Sequence, residues 1–151
     1  MTLHTILLLL HSLLRWLVLL FGLWALYRAW RGWRGQTAWE QADRRAGLFF
    51  TIALDTQLLI GIILFVLSPL TRLAFSDFGR ALQNEDIRFF VFEHAPLMLV
   101  AVLFAHVGNA WAKRDVPAAD KHRRAAIWFS LAALVILIAI PWWRPLLPLL
   151  G

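Results

Sequence analysis

The fold is decided by the stretch Thr5–Tyr27, TILLLLHSLLRWLVLLFGLWALY, which carries one arginine and no acidic residue. A helix of about 20 apolar residues rises ~1.5 Å per residue and so spans the ~30 Å hydrocarbon core of a bilayer. Three further stretches of similar length and character lie at residues 46–69, 89–112 and 125–148. The sequence therefore predicts an all-α integral membrane protein, in which residues 1–151 form one four-helix up-down bundle.

The composition agrees with a membrane protein and excludes several kinds of chemistry. Hydrophobic residues make up 61% of the chain and charged residues 16%, against about 25% charged in a typical soluble domain. Cysteine is absent from the sequence, which excludes thiol redox chemistry, thiolate metal sites and covalent haem attachment. The net charge of +6 comes from basic residues that flank the apolar stretches, so it indicates contact with the lipid bilayer and not with nucleic acid.

The distribution of basic residues predicts the orientation of the bundle. The segments after the first and third spans hold Arg28, Arg31, Arg34, Arg44, Arg45, Lys113, Arg114, Lys121, Arg123 and Arg124. The opposite side holds only Arg72, Arg80, Arg88 and Arg144. Because cytoplasmic loops are enriched in Lys and Arg, both termini and the loop 71–88 are predicted to face away from the cytoplasm. Within this loop, Leu73–Leu82 is predicted to form an interfacial amphipathic helix that covers the bundle mouth or serves as a docking surface.

Ionisable residues inside membrane spans are costly and mark candidate functional sites. The first and third spans both begin on the outer side of the membrane. His11 lies ~10 Å and His94 ~8 Å from the outer ends of these spans, so the two residues are at nearly equal depth. In an up-down bundle the first and third helices lie diagonally across the core, so these imidazoles are predicted to face each other. Two such imidazoles either provide the axial nitrogens of a haem or bond to nearby backbone and polar groups.

Basic and small residues near this histidine pair are compatible with a bound haem. Arg72 and Arg88 lie at the outer end, where they would neutralise haem propionates, and Arg15 lies deeper on the same helix face as His11. His4 is an alternative ligand nearer the surface. The face of the third span below His94 carries a stripe of small residues, which leaves room for a flat macrocycle or lets the helices pack closely; the stripe is Ala101, Ala105, Gly108 and Ala112.

A second group of polar residues lies deeper in the spans. Asp55 is close enough in depth to Arg15 to form an ion pair between neighbouring helices, which would lower the cost of burying either charge. The functional alternative is a pocket of Asp55, Gln57 and His106 that relays a proton or binds a quinone head group. His106 has no histidine at its own depth in the first span, so a second haem is not expected. His122 is predicted to lie in a cytoplasmic loop without a chemical role.

Four segments carry a resemblance to a known group. They are LHSLLRW at Leu10–Trp16, DTQLLIG at Asp55–Gly61, EHAPLM at Glu93–Met98, and DKHRRAAIWF at Asp120–Phe129 leading to IPWWRP. Together they resemble small four-span bacterial membrane proteins that are labelled cytochrome B or cytochrome b-like. The resemblance implies a haem-bearing or respiratory-chain-associated protein of the bacterial inner membrane, with His11 and His94 at the motif histidines. The chain departs from the di-haem pattern, which has two histidines on each of two helices.

These observations lead to one expected function and two alternatives. The chain is expected to bind a single haem b and to exchange electrons with a quinol or a periplasmic-side redox partner. The first alternative is a non-catalytic accessory subunit of a larger respiratory or photosynthetic complex, and association with further copies of the chain is also compatible with the sequence. The second alternative is a proton-linked carrier that uses Asp55, although small four-span multidrug carriers place their membrane carboxylate in the first helix.

Overall fold

The computed structural model describes residues 2–144, most of which form helices joined by short connections. In chain order they are α1 (Leu3–Gly35), α2 (Gln41–Leu67), α3 (Pro69–Ser76), α4 (Phe78–Gln83), α5 (Glu85–Ile87), a π-helical segment (Arg88–His94), α6 (Ala95–Ala112) and α7 (Ala118–Ala139). Within the described residues, four helices are long and apolar enough to cross a membrane, namely α1, α2, the continuous helical stretch Glu85–Ala112, and α7. The predicted all-α, four-span architecture is therefore confirmed.

The four long helices form a closed square of contacts. Helix α1 packs against α2 and α7, and α6 packs against the same two neighbours. Helices α1 and α6 consequently lie diagonally across the core, as expected for an up-down bundle. This diagonal places the two histidine-bearing helices on opposite sides of one interior.

The ends of the helices differ from the predicted spans because prolines and capping side chains set them. Helix α7 begins after Pro117 and ends at Ala139, just before Pro141, since a proline disfavours helical backbone in the residue that precedes it. The predicted fourth span, 125–148, is thus shifted along the chain, and its last four residues lie outside the described part. The predicted helix Leu73–Leu82 is divided in two at Asp77, whose side chain accepts a hydrogen bond from the Arg80 N–H and caps α4.

The middle of the core consists of aromatic rings packed onto glycines. A Cβ at Gly22 would lie 2.9 Å from the Phe50 ring, and one at Gly108 would lie 2.8 Å from the Phe129 ring. The two rings meet edge to face with their centroids 5.7 Å apart. At Gly108 the stripe of small residues on α6 is therefore in close contact with the Phe129 ring.

The opposite end of the bundle is closed by His122, whose predicted place in a loop is wrong. His122 lies in the first turns of α7 and is fully buried. Its imidazole stacks against Trp39 with centroids 4.7 Å apart, and it occupies the space where a side chain on Gly32 would lie. The basic residues around it suggested exposure, but the helical turn directs His122 inward while Arg123 remains exposed.

Candidate functional site

Two imidazoles meet across the diagonal of the bundle. The ring centroids of His11, on α1, and His94, at the end of the π-helical segment, are 6.3 Å apart, and the ring planes are inclined by 70°. His11, and not His4, is the α1 histidine that faces His94. The equal depth predicted from residue counting therefore corresponds to direct juxtaposition of the two side chains.

The π-helical segment that carries His94 has a local cause. Pro96 has no N–H to donate to the carbonyl of Phe92, and in a regular α-helix its ring would clash with that carbonyl. The wider turn of a π-helix relieves this crowding over Arg88–His94, immediately before α6 begins at Ala95. Such insertions are frequent at functional sites because they change the direction in which the next side chains project.

The orientation of His94 is held by the end of α7. Its Nδ1 lies 2.7 Å from the carbonyl oxygen of Ala139. That carbonyl belongs to the last residue of α7, where backbone acceptors have no partner within the helix. Because a carbonyl can only accept, Nδ1 must carry the hydrogen, and Nε2 of the neutral ring then presents a free lone pair. This is the arrangement by which backbone groups orient metal-binding histidines.

His11 is positioned by α2. The side-chain amide of Gln57 donates to the backbone carbonyl of His11 at 2.8 Å. One turn further along α2, Gly61 leaves room for the imidazole, since a Cβ there would lie only 3.2 Å from Cε1 of His11. The Nδ1 atom of His11 is buried and has no hydrogen-bond partner within residues 2–144. A buried ring nitrogen without a partner is costly unless something binds it.

Arg15, whose depth suggested an ion pair with Asp55, lies close to both imidazoles. Its guanidinium interacts electrostatically with His11 and with His94. Within the described residues, Asp55 forms its ion pair with His106 instead, at 2.7 Å between Oδ1 and Nε2. Matching depth was therefore necessary for pairing but not sufficient, because the rotation of each helix selects the partner.

The structure does not bring Asp55, Gln57 and His106 together as one pocket. Asp55 and His106 lie on the outside of the α2–α6 pair with their side chains 47% and 48% exposed. Gln57 is buried on the other side of α2, against His11. Two residues along an α-helix differ in direction by roughly 200°, so Asp55 and Gln57 face opposite ways. The three predicted residues belong to two separate places.

The outer end of the bundle carries a charged groove next to His94. It encloses about 340 Å³ and is lined by Glu85, Asp86, Arg88, Phe89, Glu93 and Trp143. Arg88 forms an ion pair with Glu93 at 3.0 Å, and Phe89 contacts the His94 ring with centroids 5.9 Å apart. Arg72 lies on α3 and is exposed. Of the two predicted outer arginines, Arg88 is thus the one built into the rim beside the histidines.

The spacing of the histidine pair can be compared with that of two imidazoles bound to one metal. An imidazole nitrogen bonds a metal at about 2 Å, and the nitrogen lies about 1 Å from its own ring centroid, so two imidazoles on one metal have centroids about 6 Å apart. The observed 6.3 Å is close to this value, and it is also the separation of two rings in direct edge-to-face contact. Residues 2–144 contain no group of three or more His, Cys, Asp or Glu that could hold a bare metal ion. Two imidazoles alone suit a haem, whose macrocycle supplies the other ligands.

Some of the positioning residues had no clear signal in the sequence. The partner of His94 is a backbone carbonyl, which any residue at position 139 would provide, and its availability depends on where α7 ends. The proline at position 141 was the one available indication of that end. Gly61 and Gln57 stand in the segment DTQLLIG, but their contact with His11 depends on how α2 is rotated.

Comparison with known proteins adds no further assignment. No protein-family model, no curated protein and no solved structure matches the chain.

Proposed function

We propose that the protein binds one haem b between His11 and His94 and exchanges electrons with a quinol or with a redox partner on the outer side of the membrane. The observation that carries this proposal is the imidazole pair itself, with centroids 6.3 Å apart on diagonal helices. The Ala139 carbonyl supports it, because it leaves Nε2 of His94 available for a metal. The buried Nδ1 of His11 supports it as well, since a ring nitrogen without a partner favours an occupant at this place.

The residues around the pair would hold the group and adjust its properties. A bound haem supplies one-electron redox chemistry, and the protein sets its orientation and electrostatic surroundings. The hydrogen bond to Ala139 keeps His94 in one tautomer, and Gln57 fixes the backbone that carries His11. The positive charge of Arg15 beside both imidazoles would favour the reduced state of the site. Arg88, at the rim beside the histidines, would neutralise carboxylates that extend toward the outer surface.

The proposed setting is the bacterial inner membrane, with both termini on the periplasmic side. The bias of basic residues toward the segments after the first and third spans supports this orientation. In that orientation the histidine pair and the charged groove beside it lie near the outer surface. An electron partner would therefore approach from the lipid phase or from the periplasm.

The absorption spectrum of the purified protein tests the proposal. We expect a Soret band that shifts on reduction with dithionite, and we expect His11→Ala and His94→Ala each to reduce haem content at least tenfold. His106→Ala is the matched control, because it removes a membrane histidine from a different place and should keep the band. Added imidazole should partly restore the band in the two ligand variants. A colourless wild type, or an unchanged spectrum in both ligand variants, would refute haem ligation by this pair.

A second candidate is a non-catalytic subunit that packs against a larger respiratory or photosynthetic complex. It is favoured by the exposed aromatic side chains Phe75 and Phe78 on the short helices α3 and α4. Exposed aromatic residues at the rim of a bundle suit docking to a partner as well as contact with the lipid interface. A haem-free protein that co-purifies with a larger complex, and separates from it in Phe75→Ser with Phe78→Ser, would favour this candidate.

A further inference from the structure

The side of the bundle formed by α2 and α6 carries a hydrogen-bonded Asp–His pair where a membrane protein would meet lipid. Asp55 and His106 are bonded at 2.7 Å, and each side chain is nearly half exposed. Their neighbours on the same face are apolar and exposed, namely Ile52, Leu59, Leu99 and Leu103. Polar groups that face hydrocarbon are costly, and those inside membrane spans almost always face a partner or a water-filled cavity.

The pair leaves two polar atoms without partners in the described residues. Only Oδ1 of Asp55 and Nε2 of His106 are used in the bond between them. The second carboxylate oxygen remains an acceptor, and Nδ1 of His106 is a donor when both ring nitrogens carry hydrogen. The exposed edge of the pair therefore presents one acceptor and one donor side by side.

An edge of this kind is complementary to itself under a two-fold rotation. Helices α2 and α6 run antiparallel here, since Thr51 contacts Asn109 while Asp55 contacts His106. A two-fold axis along the membrane normal would place α2 of one copy against α6 of the other. Each His106 would then donate Nε2–H to its own Asp55 and Nδ1–H to Asp55 of the second copy. The resulting ring of two carboxylates and two imidazolium groups has no net charge.

We propose that a second copy of this chain docks on the α2–α6 face through the Asp55–His106 pair. Interhelical hydrogen bonds of polar side chains are an established source of association between membrane helices. The surrounding leucines and isoleucine would provide the apolar packing of the interface. The contact lies away from the histidine pair at His11 and His94, so the dimer does not depend on a bound haem.

The absence of cysteine from the sequence allows a direct test by single-cysteine cross-linking. Leu59 lies one turn after Asp55 and Leu103 one turn before His106, so the antiparallel helices place both at the same end of the pair. Chains with Leu59→Cys and chains with Leu103→Cys, carrying different tags, are co-expressed and oxidised mildly in the membrane. Because each chain has one cysteine, any disulfide that joins the two tags must link two copies.

The matched control uses the opposite face of the bundle. Leu20 on α1 and Leu134 on α7 are 59% and 55% exposed, against 60% and 58% for Leu59 and Leu103. We expect at least tenfold more cross-linked product for the Leu59→Cys and Leu103→Cys pair than for Leu20→Cys with Leu134→Cys. Replacing the polar pair with Asp55→Leu and His106→Leu should reduce the product to the control level while the chain remains folded in the membrane.

Two outcomes would overturn the dimer. Equal cross-linking on both faces would mean that the copies meet only by random collision, and unchanged cross-linking in the leucine double variant would mean that the charged pair does not hold them together. Absorption spectra of the same membranes separate this result from the proposed function. Specific cross-linking in a colourless protein would support the dimer and refute the haem, and the reverse result would refute the dimer alone.

Discussion

The contact between Gly32 and His122 allows a quantitative test of the packing at the basic end of the bundle. A methyl group on Gly32 would occupy the space of the His122 imidazole, which is fully buried against Trp39. Overpacking of this kind costs up to about 3 kcal/mol, and replacing a helical glycine by alanine returns about 1 kcal/mol of helix propensity. We therefore expect Gly32→Ala to lower the free energy of unfolding by about 2 kcal/mol.

The second side of the test removes the histidine. His122→Ala leaves a cavity and loses the Trp39 contact, which for a buried ring costs about 3 kcal/mol. In the double variant Gly32→Ala with His122→Ala, the clash is absent and the new methyl group partly fills the cavity. The free energy of unfolding should therefore fall by only about 2 kcal/mol. The two changes are then non-additive by about 3 kcal/mol, at the upper end of couplings measured between residues in contact.

Equilibrium unfolding in mixed micelles with increasing SDS, followed by tryptophan fluorescence and circular dichroism, measures these differences. Gly35→Ala is the control, because a Cβ there meets only Thr37 at 3.4 Å and the variant should be neutral or slightly stabilised. If the free energy of unfolding of the double variant falls by about 5 kcal/mol, which is the sum of the decreases in the two single variants, then His122 does not occupy the space above Gly32. The inward direction of His122 would then be refuted.

Two further predictions concern the ion pairs and the orientation. Arg28 is bonded to the buried Asp43 at 2.7 Å and to the exposed Glu40 at 2.8 Å. In the same unfolding assay, Asp43→Ala should lower the free energy of unfolding by about 3 kcal/mol and Glu40→Gln by less than about 1 kcal/mol. Equal decreases for the two variants would contradict the difference in burial. For the orientation, a membrane-impermeant maleimide should label Ser76→Cys in intact cells and Thr37→Cys only after permeabilisation, whereas the opposite pattern would place the termini in the cytoplasm.

Residue counting was sufficient for the features that depend on distance along a helix axis. The rise per residue converts sequence position into depth, and it predicts that His11 and His94 lie at the same level. The length of the apolar stretches likewise predicted the spans. The role of the pair as haem ligands stays a prediction, because proximity of two imidazoles is a condition for ligation and not its proof.

Residue counting does not predict features that depend on the rotation of a helix about its axis. Depth allowed Asp55 to pair with Arg15, whereas the rotation of α2 and α6 directs it to His106 on the outer surface. The same rotation separates Gln57 from Asp55 and turns it toward His11. In a membrane protein both the lipid and the core are apolar, so hydrophobic periodicity gives only a weak indication of which face is inside.

The sequence by itself thus determined the number of spans, their approximate positions and the depth of each polar residue, because these follow from chain geometry and the thickness of the bilayer. Only the tertiary structure decided which polar residues meet, that the carbonyl of Ala139 orients His94, and that His122 is enclosed beneath Gly32. Those contacts depend on where helices end and how their side chains interlock, which are properties of all four helices packed together and of no single segment.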